Sequence, residues 1–288
     1  MILNWHQVSP FFNPHTHHRN TWTSLETFTA VIDFIIKRFR VVSLPNAVHG
    51  LQSGEVKGQC VALTFDDGDI SIADYVKPLL CDRDLPATFF VNTAYLERPA
   101  SYWVPILSYL TAASDLGSEL MPVELREKAL RLRTTDDPEF YNTVRHQVEQ
   151  LAPLVPNLQS RLVSSKWLSQ LDGDQFTIGL HGHEHERFSM MSAQWQREDL
   201  QKNIEILSQF RSYQPIFAVP FGRPPDWNTE TVEIANELGL DVVLADGGVN
   251  LGPQIRWARQ PADSLAPGSL ITRAAHSILQ SKCNRSNI

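Results

Sequence analysis

Apolar residues in this chain gather into short dense runs, and the stretches between them carry apolar positions at helical spacing. "CVALTF" (60–65), "ATFFVN" (87–92), "FTIGLH" (176–181), "PIFAVPF" (215–221) and "DVVLAD" (241–246) read as buried strands. "SIADYVKPLL" leads from the first towards the second as a helix. "DLQKNIEILSQF" places Leu200, Ile204, Leu207 and Phe210 on one helical face. "NTETVEIANELG" opens on a cap at Asn228, has Glu230 in its first turn and ends at Gly239. "SLETFTAVIDFIIKRF" reads as another amphipathic helix. Strands alternating with helices predict parallel βαβ units.

Residues from about 100 to 165 break this rhythm. "WVPILSYLTAA", "PVELREKALRLR" and "PEFYNTVRHQVEQLAPLV" are helix-like and lack β-branched runs. The expectation is one α/β domain over 1–280, with a helical insertion at about 100–165 between two strands and a polar tail at 281–288. No internal repeat or low-complexity segment stands out.

Composition narrows the class without naming a chemistry. The chain has 288 residues, 42% hydrophobic and 20% charged, which fits a globular protein with a substantial core. Its formal net charge of -7 disfavours nucleic acid as a partner, since phosphate neutralisation needs clustered Lys and Arg. The basic cluster in "IIKRFRVV" sits inside an apolar pattern and reads as a helix end. Cys60, Cys81 and Cys283 are odd in number and widely spaced, which fits neither a disulfide framework nor a zinc ribbon. No apolar run approaches the length of a membrane span. The start, "MILNWHQVSP", lacks a basic segment followed by an apolar core, so the expectation is a cytoplasmic protein, or an extracytoplasmic one if a leader was removed. Oligomeric state is not readable.

The chemistry-bearing residues cluster at strand ends, where parallel α/β folds place their catalytic groups. Asp66 and Asp67 follow the apolar run of "ALTFDDGD". His181 ends "FTIGLH" and opens "HGHEHE", which also holds His183 and His185. Pro220, Phe221 and Gly222 end a third run. Each has a bland reading: Asp-Asp-Gly suits an ordinary turn, and "HGHEHE" suits a solvated polar loop. Jointly, a carboxylate and two imidazoles suit a divalent-metal site with an open position. A cation beside Asp67 would offset the repulsion between the paired carboxylates. Asp66 would then be free to act as a base towards water. Adjacent strand residues point to opposite sides, so both reach one site only if the chain turns there, and Gly68 permits that turn.

Three motifs also carry a family resemblance. "TFDDG" (64–68), "HGHEH" (181–185) and "FAVPFG" (217–222) resemble the first three motifs of the polysaccharide deacetylases, the NodB-homology group also called carbohydrate esterase family four. "LNWHQVSP", "LPATFFV" and "IGLHGHEHERFSMMS" support it, so the resemblance spans about 1–250. It implies a distorted (β/α)7 barrel. It implies one divalent metal ion held by Asp67, His181 and His185, with Asp66 as base. Zinc fits that ligand set, and cobalt, nickel or manganese are compatible with it. The implied reaction is hydrolysis of an N-acetyl group on an amino sugar of a polysaccharide, oligosaccharide or glycolipid. The backbone N–H of Phe221 would help to stabilise the oxyanion.

The chain departs from the family pattern at several points. Ala218 stands where the third motif usually has an arginine that orients the base, and Phe221 stands for the usual tyrosine. The late Leu-x-His motif, whose histidine protonates the leaving amine, has no clear match. His276, His183 and His6 are the candidates for that acid. Trp227 is a candidate for stacking on a sugar ring or for the core. Two rival readings remain: a hydrolase of a non-sugar amide on the same scaffold, and a catalytically degenerate module that binds glycan.

Overall fold

The apolar runs become a sheet of parallel strands wrapped by helices. The computed structural model describes residues 1–12, 21–55, 59–99, 102–111, 123–132, 134–151, 162–263 and 269. The strands are β1 (Ile2–Trp5), β2 (Gln7–Ser9), β3 (Trp22–Ser24), β4 (Arg40–Val41), β5 (Cys60–Phe65), β6 (Ala87–Val91), β7 (Phe176–Leu180), β8 (Tyr213–Ala218), β9 (Asp241–Leu244), β10 (Trp257–Ala258) and β11 (Gln260–Pro261). The α-helices are α1 (Leu25–Ile36), α2 (Leu44–Ser53), α3 (Lys77–Cys81), α4 (Val104–Thr111), α5 (Val123–Arg131), α6 (Pro138–Leu151), α7 (Ser165–Leu168), α8 (Ala193–Leu207) and α9 (Thr229–Glu237).

The main sheet runs β10-β9-β8-β7-β6-β5-β1-β11, with β4 on β5. Every pairing in it is parallel, with Leu63 beside Leu3 and Phe89 beside both Phe65 and Ile178. β10 and β11 lie at opposite ends of that order, yet Arg259 alone separates them in the chain. The Arg259 N–H donates to the Leu244 carbonyl and the Ala262 N–H to the Asn4 carbonyl. One short segment therefore borders β9 on one side and β1 on the other and draws the sheet into a nearly closed barrel. Eight strands line the ring where about seven were expected, because the closing segment counts as two short ones.

The strands are unbroken apolar runs because both faces are covered, as in parallel sheets generally. Trp5, Phe28, Phe65, Phe89 and Phe176 are fully buried and meet ring to ring at 5.4–5.8 Å. Three of the predicted helices, α1, α8 and α9, form with local caps, whereas "SIADYVKPLL" starts as a π-helical turn at Ile72–Val76 and continues into α3 without a side-chain cap. Ser24 accepts from the Thr27 N–H at the start of α1, and Asn228 and Thr231 close a capping box on α9. On α8, Leu200 and Leu207 are fully buried and Ile204 packs against the core, as does Phe210 just past the helix end. Periodicity misses β1, β2, β3, β4, β10 and β11 because each has at most four residues, below the window in which a period registers. The "RVV" of the basic cluster thus begins a strand, β4, rather than only trailing a helix.

The insertion holds α4, α5 and α6, which pack around Trp103, Leu107, Tyr141 and Val144, with Phe221 against the same cluster. Cys60 is half-buried and Cys81 is exposed. Cys283, His276 and the polar tail lie outside the described residues. Among the described residues, no helix is long and apolar enough to cross a membrane.

Candidate active site

β5, β7 and β8 end on one rim, and so do the three motifs they carry. At that rim the backbone of Asp67, His185 and Phe221 takes left-handed φ values of 69°, 56° and 60°. Such values are uncommon outside glycine and gather at functional sites. Gly68 continues the turn at φ 68°, and a Cβ there would press on Val91 at 3.1 Å. The strand thus ends abruptly, and both aspartates reach one cleft.

Asp66 is buried and fully partnered. Arg259 Nη1 donates to its Oδ1 at 2.7 Å and Nη2 to its Oδ2 at 2.9 Å, while Asn4 Nδ2 donates to Oδ2 at 3.0 Å. Burial pushes the Asp66 pKa up, but Arg259 and the nearby His181 and His6 outweigh it and hold the group below its ordinary value. Arg259 itself is fully buried, so the pair is a two-pronged contact shielded from water.

Asp67 faces two imidazoles. Its Oδ1 lies 3.3 Å from His181 Nε2 and 3.1 Å from His185 Nε2. One ligand atom from each residue falls within a 4.8 Å cluster. The His181 Nδ1 lies 2.8 Å from the Ala218 carbonyl, an acceptor that assigns its proton to Nδ1 and leaves Nε2 with a free lone pair. Asn92 Nδ2 also bonds the His181 carbonyl. Burial would raise the Asp67 pKa, but the His181 and His185 imidazoles that face it hold it well below the ordinary value. Burial lowers the His185 pKa, against the pull of Asp67. Two imidazole nitrogens and a carboxylate oxygen converging on one point are the donor set a divalent cation needs. The residues therefore fit a metal.

The position of Ala218 thus supplies a carbonyl to the candidate ligand His181 and no guanidinium. The guanidinium beside Asp66 comes instead from Arg259, in the closing segment. Sequence reading missed it because nothing local marks a lone Arg between two two-residue strands.

The three candidate acids separate clearly. His6 lines the same cleft as Asp66 and Asp67. Its Nδ1 lies 2.7 Å from Asp263 Oδ2, and its N–H donates to Asp263 Oδ1 at 2.9 Å. Burial alone would lower its pKa; the charge and hydrogen bond of Asp263, with Asp67 and Asp66, raise it to about 9. His183 turns away from this cleft but not into solvent: it is buried, and its Nδ1 meets Thr93 Oγ1 at 2.8 Å. Burial, with Lys202 and Arg98, lowers its pKa to about 4. His276 lies outside the described residues.

The cleft holds about 850 Å³ and one wall comes from the insertion, through Tyr102, Val104, Pro105 and Ser108. The buried Tyr102 hydroxyl lies beside Asp67 and closes no hydrogen bond of good geometry. Phe221 lines the cleft and sets its ring edge-on to His185, with centroids 4.6 Å apart. Trp227 is not in the cleft: it packs on the core under the Arg256 guanidinium, 4.8 Å from its ring.

With this geometry, known proteins can be compared. The sequence profile of the family described as "Polysaccharide deacetylase" matches residues 53–243. No curated protein sequence matches the chain. Among solved structures, IcaB from Ammonifex degensii is 18% identical with a TM-score of 0.62, covering 95% of this chain and 97% of its own. The deacetylase PplD of Streptococcus pyogenes is 18% identical with a TM-score of 0.56, covering 94% and 96%. A de-N-acetylase from Aggregatibacter actinomycetemcomitans is 13% identical with a TM-score of 0.62, covering 94% and 98%. At these identities the likeness establishes the barrel fold, while the profile, which spans more than half of the chain, establishes the family. The chain belongs to the polysaccharide deacetylase family, and is by that membership a hydrolase of the carbohydrate de-N-acetylase kind.

Proposed function

We propose that the protein removes N-acetyl groups from amino sugars of a glycan, with Asp67, His181 and His185 holding one divalent metal ion. Zinc suits the two imidazoles and one carboxylate best. The observation that carries the reading is the presence in one cleft of a guanidinium-held carboxylate, Asp66, and a carboxylate-held imidazole, His6. Base and acid are what amide hydrolysis requires, since water must lose a proton and the amine must gain one.

A cation at that set, when bound, polarises a carbonyl and lowers the pKa of water from about 15.7 to roughly 7. The chain's own groups do the rest. Asp66, kept ionised by Arg259, takes the proton of the attacking water on a carboxylate oxygen. The backbone at Phe221, and the ring it sets against His185, shape the pocket for the acyl group. His6 is held by Asp263 through Nδ1, so its Nε2–H is left to donate to the departing nitrogen. The carbon–nitrogen bond breaks, acetate carries away the oxygen of water, and the sugar keeps a free amine.

The degenerate-module reading drew on Ala218 and on the missing late histidine. Arg259, buried behind Asp66, and His6, in the cleft, offer a guanidinium and an imidazole for those two roles, so both grounds for that reading weaken. The test is acetate release from N-acetylglucosamine oligomers by wild type and Asp66→Asn, with metal content measured on both. Acetate from wild type alone, at equal metal content, is the expected result. Equal acetate release from both would remove Asp66 as the base. Metal without acetate release on any acylated sugar would move the substrate to a non-sugar amide or favour the degenerate glycan-binding module.

A further inference from the structure

His185 takes a backbone conformation, φ 56°, that a non-glycine residue keeps only where its surroundings hold it. The residues on either side of it, Glu184 and Glu186, are gripped from the insertion. Arg145 on α6 lies between them, with Nη2 2.6 Å from Glu184 Oε2 and Nε 2.6 Å from Glu186 Oε1. Its Nη1 is 2.7 Å from Glu149 Oε2 on its own helix. The two Nη atoms donate hydrogen bonds to Glu149 and Glu184, Nε faces Glu186 as an ion pair, and the residue is 8% exposed. Tyr141, four residues earlier, donates its hydroxyl to Glu186 Oε2 and accepts from the Arg187 N–H, both at 3.0 Å. The Glu184 carbonyl accepts from Trp103 Nε1 and from the Tyr95 hydroxyl, also at 3.0 Å. Arg187 is buried as well, bonded to the Thr135 carbonyl in the insertion and paired with Asp226 at 3.3 Å beyond the third motif.

A helix that served only to cover the barrel would need apolar residues here, because burying a cation among carboxylates gains little over packing. What the arrangement does achieve is direction. A planar guanidinium fixes both carboxylates at set angles, which a flexible ammonium would not. We propose that the helical insertion is the clasp of the metal-ligating loop, and that Arg145 is its positioning residue, fixing His185 through Glu184 and Glu186. The proposal rests on the metal reading above, and it makes the insertion the element that tunes how tightly the cation is held.

The experiment is Zn²⁺ affinity of the full chain, by competition with a chromophoric chelator, for wild type, Arg145→Met, Arg145→Lys, Glu186→Gln, Tyr141→Phe and Asp67→Asn. Near-ultraviolet circular dichroism of the metal-free proteins reports on folding. Arg145→Met is expected to weaken Zn²⁺ about 10- to 100-fold, the usual cost of losing an outer support of a ligand. Arg145→Lys should fall between the two. A folded Arg145→Met with affinity within about twofold of wild type would overturn the proposal. Should Arg145→Met not fold, Glu186→Gln and Tyr141→Phe decide it, and undiminished affinity in both overturns it. If Asp67→Asn binds Zn²⁺ as wild type does, the metal reading itself fails, an outcome separate from failure of the clasp.

Discussion

The guanidinium of Arg259 grips both carboxylate oxygens of Asp66, at 2.7 and 2.9 Å, although 193 residues separate them. The contact exists because β10 and β11 close the barrel beside β1, one strand away from β5. It keeps the buried carboxylate charged, and so ready to accept a proton.

Arg259→Met should therefore damage both stability and catalysis. Removing one partner of a buried pair leaves an uncompensated charge, which costs about 3–5 kcal/mol. The pKa of Asp66 is depressed in the fold, so its stabilising contribution is present above the unfolded value of 3.8 and lost as pH falls through the folded value. Without Arg259 that pKa rises. The acid limb of the kcat/KM profile should move to higher pH, with urea unfolding reporting the lost stability. An unmoved limb would separate Asp66 from the reaction.

His6 titrates in the opposite sense. Its pKa is raised to about 9 in the fold from 6.5, so its contribution is fully present below 6.5 and lost as pH climbs through 9. Asp263→Asn removes the largest raising influence. The His6 imidazole resonance, followed by NMR in the metal-free protein, should then titrate at lower pH. The alkaline limb of kcat/KM should shift the same way. A His6 resonance that titrates unchanged in Asp263→Asn would show that the pair does not govern the imidazole.

Metal should stabilise the fold only through its ligands. Ligand at about 1,000 times its Kd adds about 4.1 kcal/mol. Zn²⁺ is expected to raise the thermal midpoint of wild type and to leave that of His181→Ala unchanged, with chelator reversing the gain. A gain of equal size in His181→Ala would place the cation elsewhere.

Tyr102 offers a buried hydroxyl beside Asp67 with no well-formed partner. Tyr102→Phe keeps the ring that packs edge-on to His185, 5.8 Å between centroids. Stability should change by less than about 1 kcal/mol, the typical net value of a hydrogen bond. Activity should fall more than stability does, by about tenfold in kcat. Equal kcat in the two proteins would assign the residue to packing alone.

Much of the barrel was legible because its determinants are local. "CVALTF" and "ATFFVN" are apolar throughout, as strands buried on both faces must be, and Asn228 caps α9 through its own side chain. The short strands were not legible, since β10 and β11 gain their pairing only from neighbours supplied by distant chain. His183 shows the limit within a motif: it lies between two candidate ligands in sequence, yet it turns to Thr93 and away from the cleft.

The sequence by itself determined the parallel α/β pattern and the helical insertion, because hydrophobic period is a local property, and its three motifs singled out Asp67, His181 and His185 as candidate ligands through their family resemblance. Tertiary structure alone decided which arginine holds Asp66, which histidine joins it, and what the insertion grips. Those pairings are contacts across the ring and from the insertion onto its rim. They depend on where the barrel closes and on what α6 lies against, and neither is recorded in the local order of residues.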